Sequence, residues 1–281
     1  MSDPMLWLDG ELVSAGDAGV SPFDHGLLVG DGVFETLRVY DGVPFAWTRH
    51  HRRLVRSAAG LGLTAPGSPE LRAAVDAVLA ANGLTEGRVR LTVTGGPSPL
   101  GSERGDGPPT VIVVAAPATA WPPSVDVVVV PWSRNEHGAV AGLKTTSYAE
   151  NVRALAYARE RNAGEAVFLN TRGEVCEATG SNLFVVRGGV VRTPPADAGC
   201  LLGVTRALVL ELCAESGMPA EEAVLGPESL RDADEAFLTS STREVQPIGR
   251  VDGRALQAAP GPTSEKLALL LAELIARNRD P

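Results

Sequence analysis

Of the 25 basic residues in the chain, only two are lysine, Lys144 and Lys266. Arginine can replace lysine on a wetted surface, but guanidinium does not give up its proton and cannot serve as an amine nucleophile. Each lysine is therefore a candidate for chemistry. Lys144 lies in GLKTTSY, between a loop and a helix, with Leu143 and Tyr148 close by. A desolvated amine has a lowered pKa and can form a Schiff base with an aldehyde cofactor. The competing reading, an ordinary surface lysine, sits poorly with a chain that avoids lysine elsewhere. Lys266 falls in the polar phase of a terminal helix and is assigned to the surface. A P-loop around Lys144 is excluded, because Leu143 stands where that motif requires glycine.

Three further segments carry candidate chemistry. In CEATGSN, residues 176–182, Glu177 either caps a turn or keeps the pyridinium nitrogen of pyridoxal phosphate protonated, and the residues alone leave both readings open. In LLGVTRA, residues 201–207, a glycine leads into a helix with Thr205 and Arg206 in its first turn. The first amides of a helix lack intrahelical partners and suit an anion. In TSSTRE, residues 239–244, several hydroxyls either cap a helix or bind phosphate. GDGVFETLR, residues 30–38, is not a dinucleotide fingerprint, since Glu35 replaces the last glycine and no strand precedes it. The four histidines lack metal-ligand spacing, and adjacent His50 and His51 diverge by about 100° on a helix. No metal is expected. A hydrolase G-x-S-x-G is absent.

The elements that must position these residues can be read from periodicity and turn residues. Hairpins are predicted over 5–13 around Asp9-Gly10 and over 32–47 around Asp41-Gly42. Helices follow at 49–61 and 69–82. Runs at 88–94 and 110–116 read as strands, separated by a long Gly- and Pro-rich loop of the kind that is functional or mobile. PATAWPPS, residues 117–124, reads as a semi-rigid linker. Beyond it come a buried strand at 125–131, a helix at 149–162, a strand at 165–170 and a hairpin at 183–192 around Gly188-Gly189. A helix at 204–216, a strand at 235–239 and an amphipathic helix at 264–277 complete the chain. The expected organisation is two α/β domains of α+β type, with mixed sheets and flanking helices: 1–116, the linker 117–124, and 125–281.

The 281 residues, 44% of them hydrophobic, suffice for one large core or two ordinary ones. The net charge of −9 argues against a nucleic-acid partner. Cys176, Cys200 and Cys213 form no C-x-x-C pair and read as reduced thiols of a cytoplasmic protein. No signal peptide and no membrane span are expected, because polar residues interrupt every apolar run before ~20 residues.

Taken in order, these motifs resemble the class IV aminotransferase family, the fold-type IV pyridoxal-phosphate enzymes. That family includes branched-chain and D-amino-acid aminotransferases, R-selective amine transaminases and 4-amino-4-deoxychorismate lyases. The resemblance implies pyridoxal 5'-phosphate as cofactor, with Lys144 as the Schiff-base lysine and Glu177, in E-x-x-x-S-N, as partner of the pyridine nitrogen. It also implies a phosphate grip by Arg53 in HHRRL, and further phosphate ligands at Val204 and Thr205 in G-V-T-R and at Thr242 in S-S-T-R-E-V. Leu201 would pack on the ring and Asn182 would support the Glu177 loop. A small-molecule amine or amino-acid substrate and a homodimer follow from the same likeness. GDGVFE is shared by the lyases and the D-amino-acid enzymes, whereas Thr36 after it, TGGPSPLGS and KTTSYAENV are most similar to lyase members. The expected activity is thus 4-amino-4-deoxychorismate lyase, giving p-aminobenzoate and pyruvate, with Thr36 assisting proton delivery to the leaving group. The alternative is an aminotransferase for D-amino acids, branched-chain amino acids or amines; the R-x-H carboxylate trap of D-amino-acid enzymes is missing from TGGPSPLGSER. From a different class, a non-catalytic binding module would leave Lys144 merely structural.

Overall fold

The computed structural model describes residues 3–281. The chain forms two compact units that divide between Thr119 and Ala120. Leu143–Tyr148 and Arg279–Pro281 belong with the first unit, a return that a linear division of the sequence does not contain.

The first unit holds β1 (Met5–Leu8), β2 (Glu11–Ser14), α1 (His25–Leu28), β3 (Gly32–Tyr40), β4 (Val43–Pro44), α2 (Trp47–Gly60), α3 (Ser68–Ala81), β5 (Gly87–Thr94) and β6 (Val111–Pro117). Its six strands are ordered β2-β1-β6-β5-β3-β4, and every pairing is antiparallel. Alternation along β3 sets the two faces of the sheet. Val33, Glu35, Leu37 and Val39 point into the core with Leu54, Ala58, Leu71 and Val75 from α2 and α3, all buried. Phe34, Thr36 and Arg38 point the other way. The loop between β5 and β6 is held by Arg104, which makes two 2.6 Å bonds to the Asp31 carboxylate and donates to the carbonyls of Leu61 and Gly62.

The second unit holds β7 (Val125–Arg134), α4 (Ala149–Arg159), β8 (Glu165–Asn170), β9 (Val175–Ala178), β10 (Asn182–Arg187), β11 (Val190–Thr193), α5 (Val204–Glu215), β12 (Ala220–Glu222), α6 (Pro227–Arg231), β13 (Glu235–Ser240), β14 (Glu244–Val251), β15 (Arg254–Ala255) and α7 (Pro262–Arg277). The strands form one mixed sheet, β12-β11-β10-β13-β14-β7-β8-β9, with β15 on β14. Its core joins Val127, Val167, Leu183, Leu238 and Ile248.

The strand expected at 125–131 continues to Arg134 and is exposed from Pro131 to Ser133. The pairing register with β8 shifts between Val129 and Ser133, so Pro131 sits where its missing N–H breaks no ladder bond. Five elements in the second unit have no counterpart in the sequence reading: the short β12, α6 and β15, β9, which carries Glu177 itself, and β14, whose Pro247 and Gly249 read as strand breakers. A second register shift, between Ile248 and Arg250, accommodates Gly249.

Candidate active site

In the first unit, Lys144 reaches its place through backbone pairing. The segment around it adds to the open edge of β3: Phe34 N donates to Lys144 O (3.1 Å), Thr146 N donates to Gly32 O (2.8 Å), and Val33 bridges Thr145. Lys144 N donates to Ser57 Oγ on α2 (3.1 Å). Gly32 permits this approach, since a Cβ there would lie 3.0 Å from both Thr146 Oγ1 and Val93 O. The pairing puts the Lys144 side chain on the Phe34 face of the sheet. Its Nζ lies 4.2 Å from the centre of the Phe34 ring and 5.9 Å from that of Tyr148. The two rings meet edge to face at 5.1 Å.

Arg90, which sequence reasoning passed over, lies on this same face. Its guanidinium stacks 3.7 Å from the centre of the Phe34 ring. Burial pushes its pKa below the ordinary arginine value. It forms no ion pair with a carboxylate among the described residues; its Nε donates to Thr92 Oγ1 at 3.2 Å. Thr36 is half-buried and sits opposite Arg90 across the strand pair. The alternation of Arg88, Arg90 and Thr92 with apolar Val89, Leu91 and Val93 was the available signal that this strand turns cations outward.

Arg53 packs with Glu35 and His50, and Lys144 is near enough to act electrostatically on that His50 ring. Arg53 is buried and makes two 2.7 Å bonds to Glu35, a fully buried carboxylate that also takes a 2.6 Å bond from His50 Nδ1. His50 and Arg53 are three residues apart and share one helix face. Burial alone would raise the Glu35 carboxyl, but Arg53 and His50 hold it well below the usual carboxylate range. Burial pushes the His50 ring below its ordinary value despite Glu35, and the fixed charge of Arg53 adds to that effect. The Glu35 carboxylate oxygen can only accept, so His50 donates through Nδ1.

Both shifts have the same sign of pH dependence. A folded-state pKa below the unfolded value contributes stability that is present above the unfolded pKa and lost as pH falls. With ordinary values of 6.5 for His50 and 4.5 for Glu35, stability should hold above about pH 7, decline below 6.5 and steepen below 4.5. Thermal melts from pH 8 to pH 4 test this. His50→Gln should lose the first step and keep the second; parallel profiles between pH 7 and pH 5 would contradict the His50 assignment.

In the second unit, three candidates interlock. Glu177 Oε1 accepts from Arg134 Nη1 (2.6 Å), and Oε2 accepts from Leu201 N (3.0 Å). Leu201 O in turn accepts from Asn182 Nδ2 (2.7 Å). Arg134 is itself fixed by Asn151 Oδ1 (2.7 Å) and by the Phe168 ring at 4.1 Å. Gly203 lies two residues beyond Leu201, and a Cβ there would come within 2.0 Å of Asn182 Oδ1. That glycine opens α5, whose first residues, Val204 and Thr205, are buried. Arg206 turns away to the Pro194 carbonyl and Glu222. Thr242 lies half-buried in the turn between β13 and β14, where Arg243 N donates to Ser240 Oγ (3.2 Å).

This set fits a phosphorylated pyridine cofactor. Ser181 Oγ and Thr239 Oγ1 are buried hydroxyls with no partner among the described residues. Thr239 pairs directly with Asn182 across β10 and β13. Buried polar groups need partners, and a ligand bearing oxygen acceptors would supply them. The uncapped α5 N-terminus meets the same requirement from the donor side. Lys266 is exposed on α7, as expected.

A family model described as Amino-transferase class IV matches residues 32–251. The chain is 37% identical to a putative branched-chain-amino-acid aminotransferase of Methanocaldococcus jannaschii, over 89% of each chain. It is 34% identical to a D-alanine aminotransferase of Listeria innocua, covering 95% of this chain and 94% of the relative. Among solved structures, the branched-chain aminotransferase of Thermoproteus uzoniensis with norvaline superposes with a TM-score of 0.91 at 33% identity, covering 98% and 95% of the two chains. A putative 4-amino-4-deoxychorismate lyase of Legionella pneumophila superposes with a TM-score of 0.88 at 26% identity, covering 92% and 96%.

Proposed function

The chain belongs to the class IV aminotransferase family, a pyridoxal-phosphate enzyme, and from that premise we propose that it transfers the amino group of aliphatic α-amino acids of the branched-chain kind. The observation that carries this reading is Arg90. A half-buried guanidinium with no carboxylate of its own, on the face that holds Lys144 Nζ, is a counter-charge for a substrate carboxylate. An amine donor would leave it unused. Phe34 and Tyr148 beside it offer apolar surface to an aliphatic side chain and exclude water. The missing R-x-H trap sets the reading apart from D-amino-acid enzymes.

Bound pyridoxal phosphate supplies an electron sink that lets the substrate α-carbon give up a proton. Lys144 Nζ takes that proton and returns it, an intramolecular transfer favoured by proximity. Glu177 holds the ring-nitrogen proton, and Arg134 and the Leu201 amide orient its carboxylate. Val204, Thr205 and Thr242 would hold the phosphate, with Arg53 contributing through Nη1, since Glu35 takes its Nε and Nη2; Leu201 would pack on the ring and Asn182 would steady the loop.

The lyase expectation gives way here. The two relatives described above are aminotransferases, and lyase activity is supported by a solved structure of lower identity. Thr36 keeps a place on the substrate face without a leaving group to protonate. A homodimer belongs to the proposal, because Val20, Phe23, Leu27 and Val29 expose apolar side chains along one segment that a second copy would cover. A cytoplasmic location rests on three buried free thiols. No helix among the described residues is long and apolar enough to cross a membrane.

Arg90→Met tests the reading. It should lower kcat/KM for a branched-chain L-amino acid by roughly 10²–10³-fold, the size of a lost charge-assisted contact, and leave any residual turnover of a carboxylate-free amine unchanged. Equal losses on both donors would contradict it.

A further inference from the structure

We infer that Arg243 is a positioning residue that locks together, through the buried carboxylate of Glu165, the two segments of the second unit assigned to the cofactor. Glu165, at the start of β8, is 2% exposed. Its Oε1 accepts from the Thr179 hydroxyl and from the amides of Ala166 (3.0 Å) and Thr179 (3.3 Å). Its Oε2 accepts from Arg243 Nη2 (3.3 Å). Thr179 lies two residues from Glu177 and two from Ser181, in the turn that joins β9 to β10. Arg243 follows Thr242 in the turn between β13 and β14. One carboxylate thus has the Glu177 turn on one oxygen and the Thr242 turn on the other.

The arginine end is fixed as firmly. Arg243 Nη1 donates to Gln246 Oε1, Gln246 Nε2 donates to Pro122 O (2.9 Å), and the guanidinium stacks 3.8 Å from the centre of the Trp121 ring. Its side chain is 7% exposed. A planar guanidinium can meet a carboxylate, an amide oxygen and an aromatic face together; an ammonium cannot. On the other side of the Glu177 turn, Asn151 Nδ2 donates to Thr179 O and Arg134 bridges Asn151 to Glu177. The chain of contacts runs unbroken from Glu177 through Arg134, Asn151, Thr179 and Glu165 to Arg243. Neither Glu165 nor Arg243 has a role in the proton transfers; their effect passes through Glu177 and Thr242.

This inference rests on the assignment of Glu177 and Thr242 to the cofactor. The test measures pyridoxal-phosphate affinity of the purified full chain by absorbance titration of the cofactor-free protein. It uses Arg243→Lys, Glu165→Gln, the double variant and Glu177→Gln, with melting of each cofactor-free protein recorded alongside. Arg243→Lys and Glu165→Gln should each weaken binding about tenfold, the double variant should lose no more than either single one, and the cofactor band should shift in position. Coupled pairs in one network behave in this non-additive way. Melting temperatures that fall while affinity and band stay as in wild type would overturn the inference and reduce the pair to a structural ion pair. If Glu177→Gln also leaves affinity and spectrum untouched, the cofactor assignment fails and takes the inference with it. If Glu177→Gln changes the spectrum and Arg243→Lys does not, the brace alone is wrong.

Discussion

Lys144→Ala is expected to abolish turnover, with a loss of at least about 10⁴-fold, the upper range for a positioned acid–base group. The protein should fold normally. Its segment is held by backbone bonds from Phe34 and Thr146 and by the Lys144 amide on Ser57 Oγ, none of which uses the amine. Alanine therefore removes the chemistry and keeps the edge pairing on β3. The removed group sits 4.2 Å from the centre of the Phe34 ring, and no neighbouring lysine can replace it, because Lys266 is on the surface of α7. The variant should also fail to retain the cofactor's colour after gel filtration. A variant that stays yellow with covalently held cofactor would show that another amine does the work.

Glu177→Gln is expected to lower kcat by about 10²–10³-fold, comparable to removing one electrostatic stabiliser at a reacting centre. Glutamine has nearly the same shape and can still accept from the Leu201 amide. It cannot keep a ring-nitrogen proton in place as a carboxylate does, and it leaves the Arg134 guanidinium without its 2.6 Å carboxylate partner. KM should move much less than kcat, because none of these contacts touches the substrate. A variant with wild-type kcat would place Glu177 outside the reaction. Steady-state kinetics with the absorption spectrum of the resting enzyme separates the two outcomes.

The helices and most strands could be read from periodicity because each buries one face. The apolar alternation around Glu35 in β3 and the stripe of Leu54 and Ala58 in α2 are visible in a single pass. Strand β14 was not, since Pro247 and Gly249 look like breakers until a register shift against β7 accommodates the glycine. The ring-side candidates lie close together in the second half of the sequence, and Leu201, Asn182 and Glu177 do interlock. Lys144 was legible as a chemical type and illegible as a position. Its place on β3 depends on pairing between residues more than a hundred apart, which no local signal encodes. Arg53 was read as a phosphate grip, and its buried partnership with Glu35 and His50 went unseen for the same reason. Arg90 had a local signal, the outward phase of a strand, but its solitude among carboxylates emerges only when every neighbour is in place.

The choice between aminotransferase and lyase turns on what happens after the α-proton leaves, and both activities need the same cofactor residues. The most direct measurement supplies the pyridoxal-phosphate enzyme with one substrate at a time and follows the cofactor spectrum and the products together. L-leucine, L-isoleucine and L-valine should each convert the cofactor to its pyridoxamine form and release one equivalent of the matching 2-oxo acid, with D-alanine and simple amines far slower. Aminodeoxychorismate should yield no p-aminobenzoate. Rapid p-aminobenzoate formation, with no conversion by the branched-chain amino acids, would contradict the account.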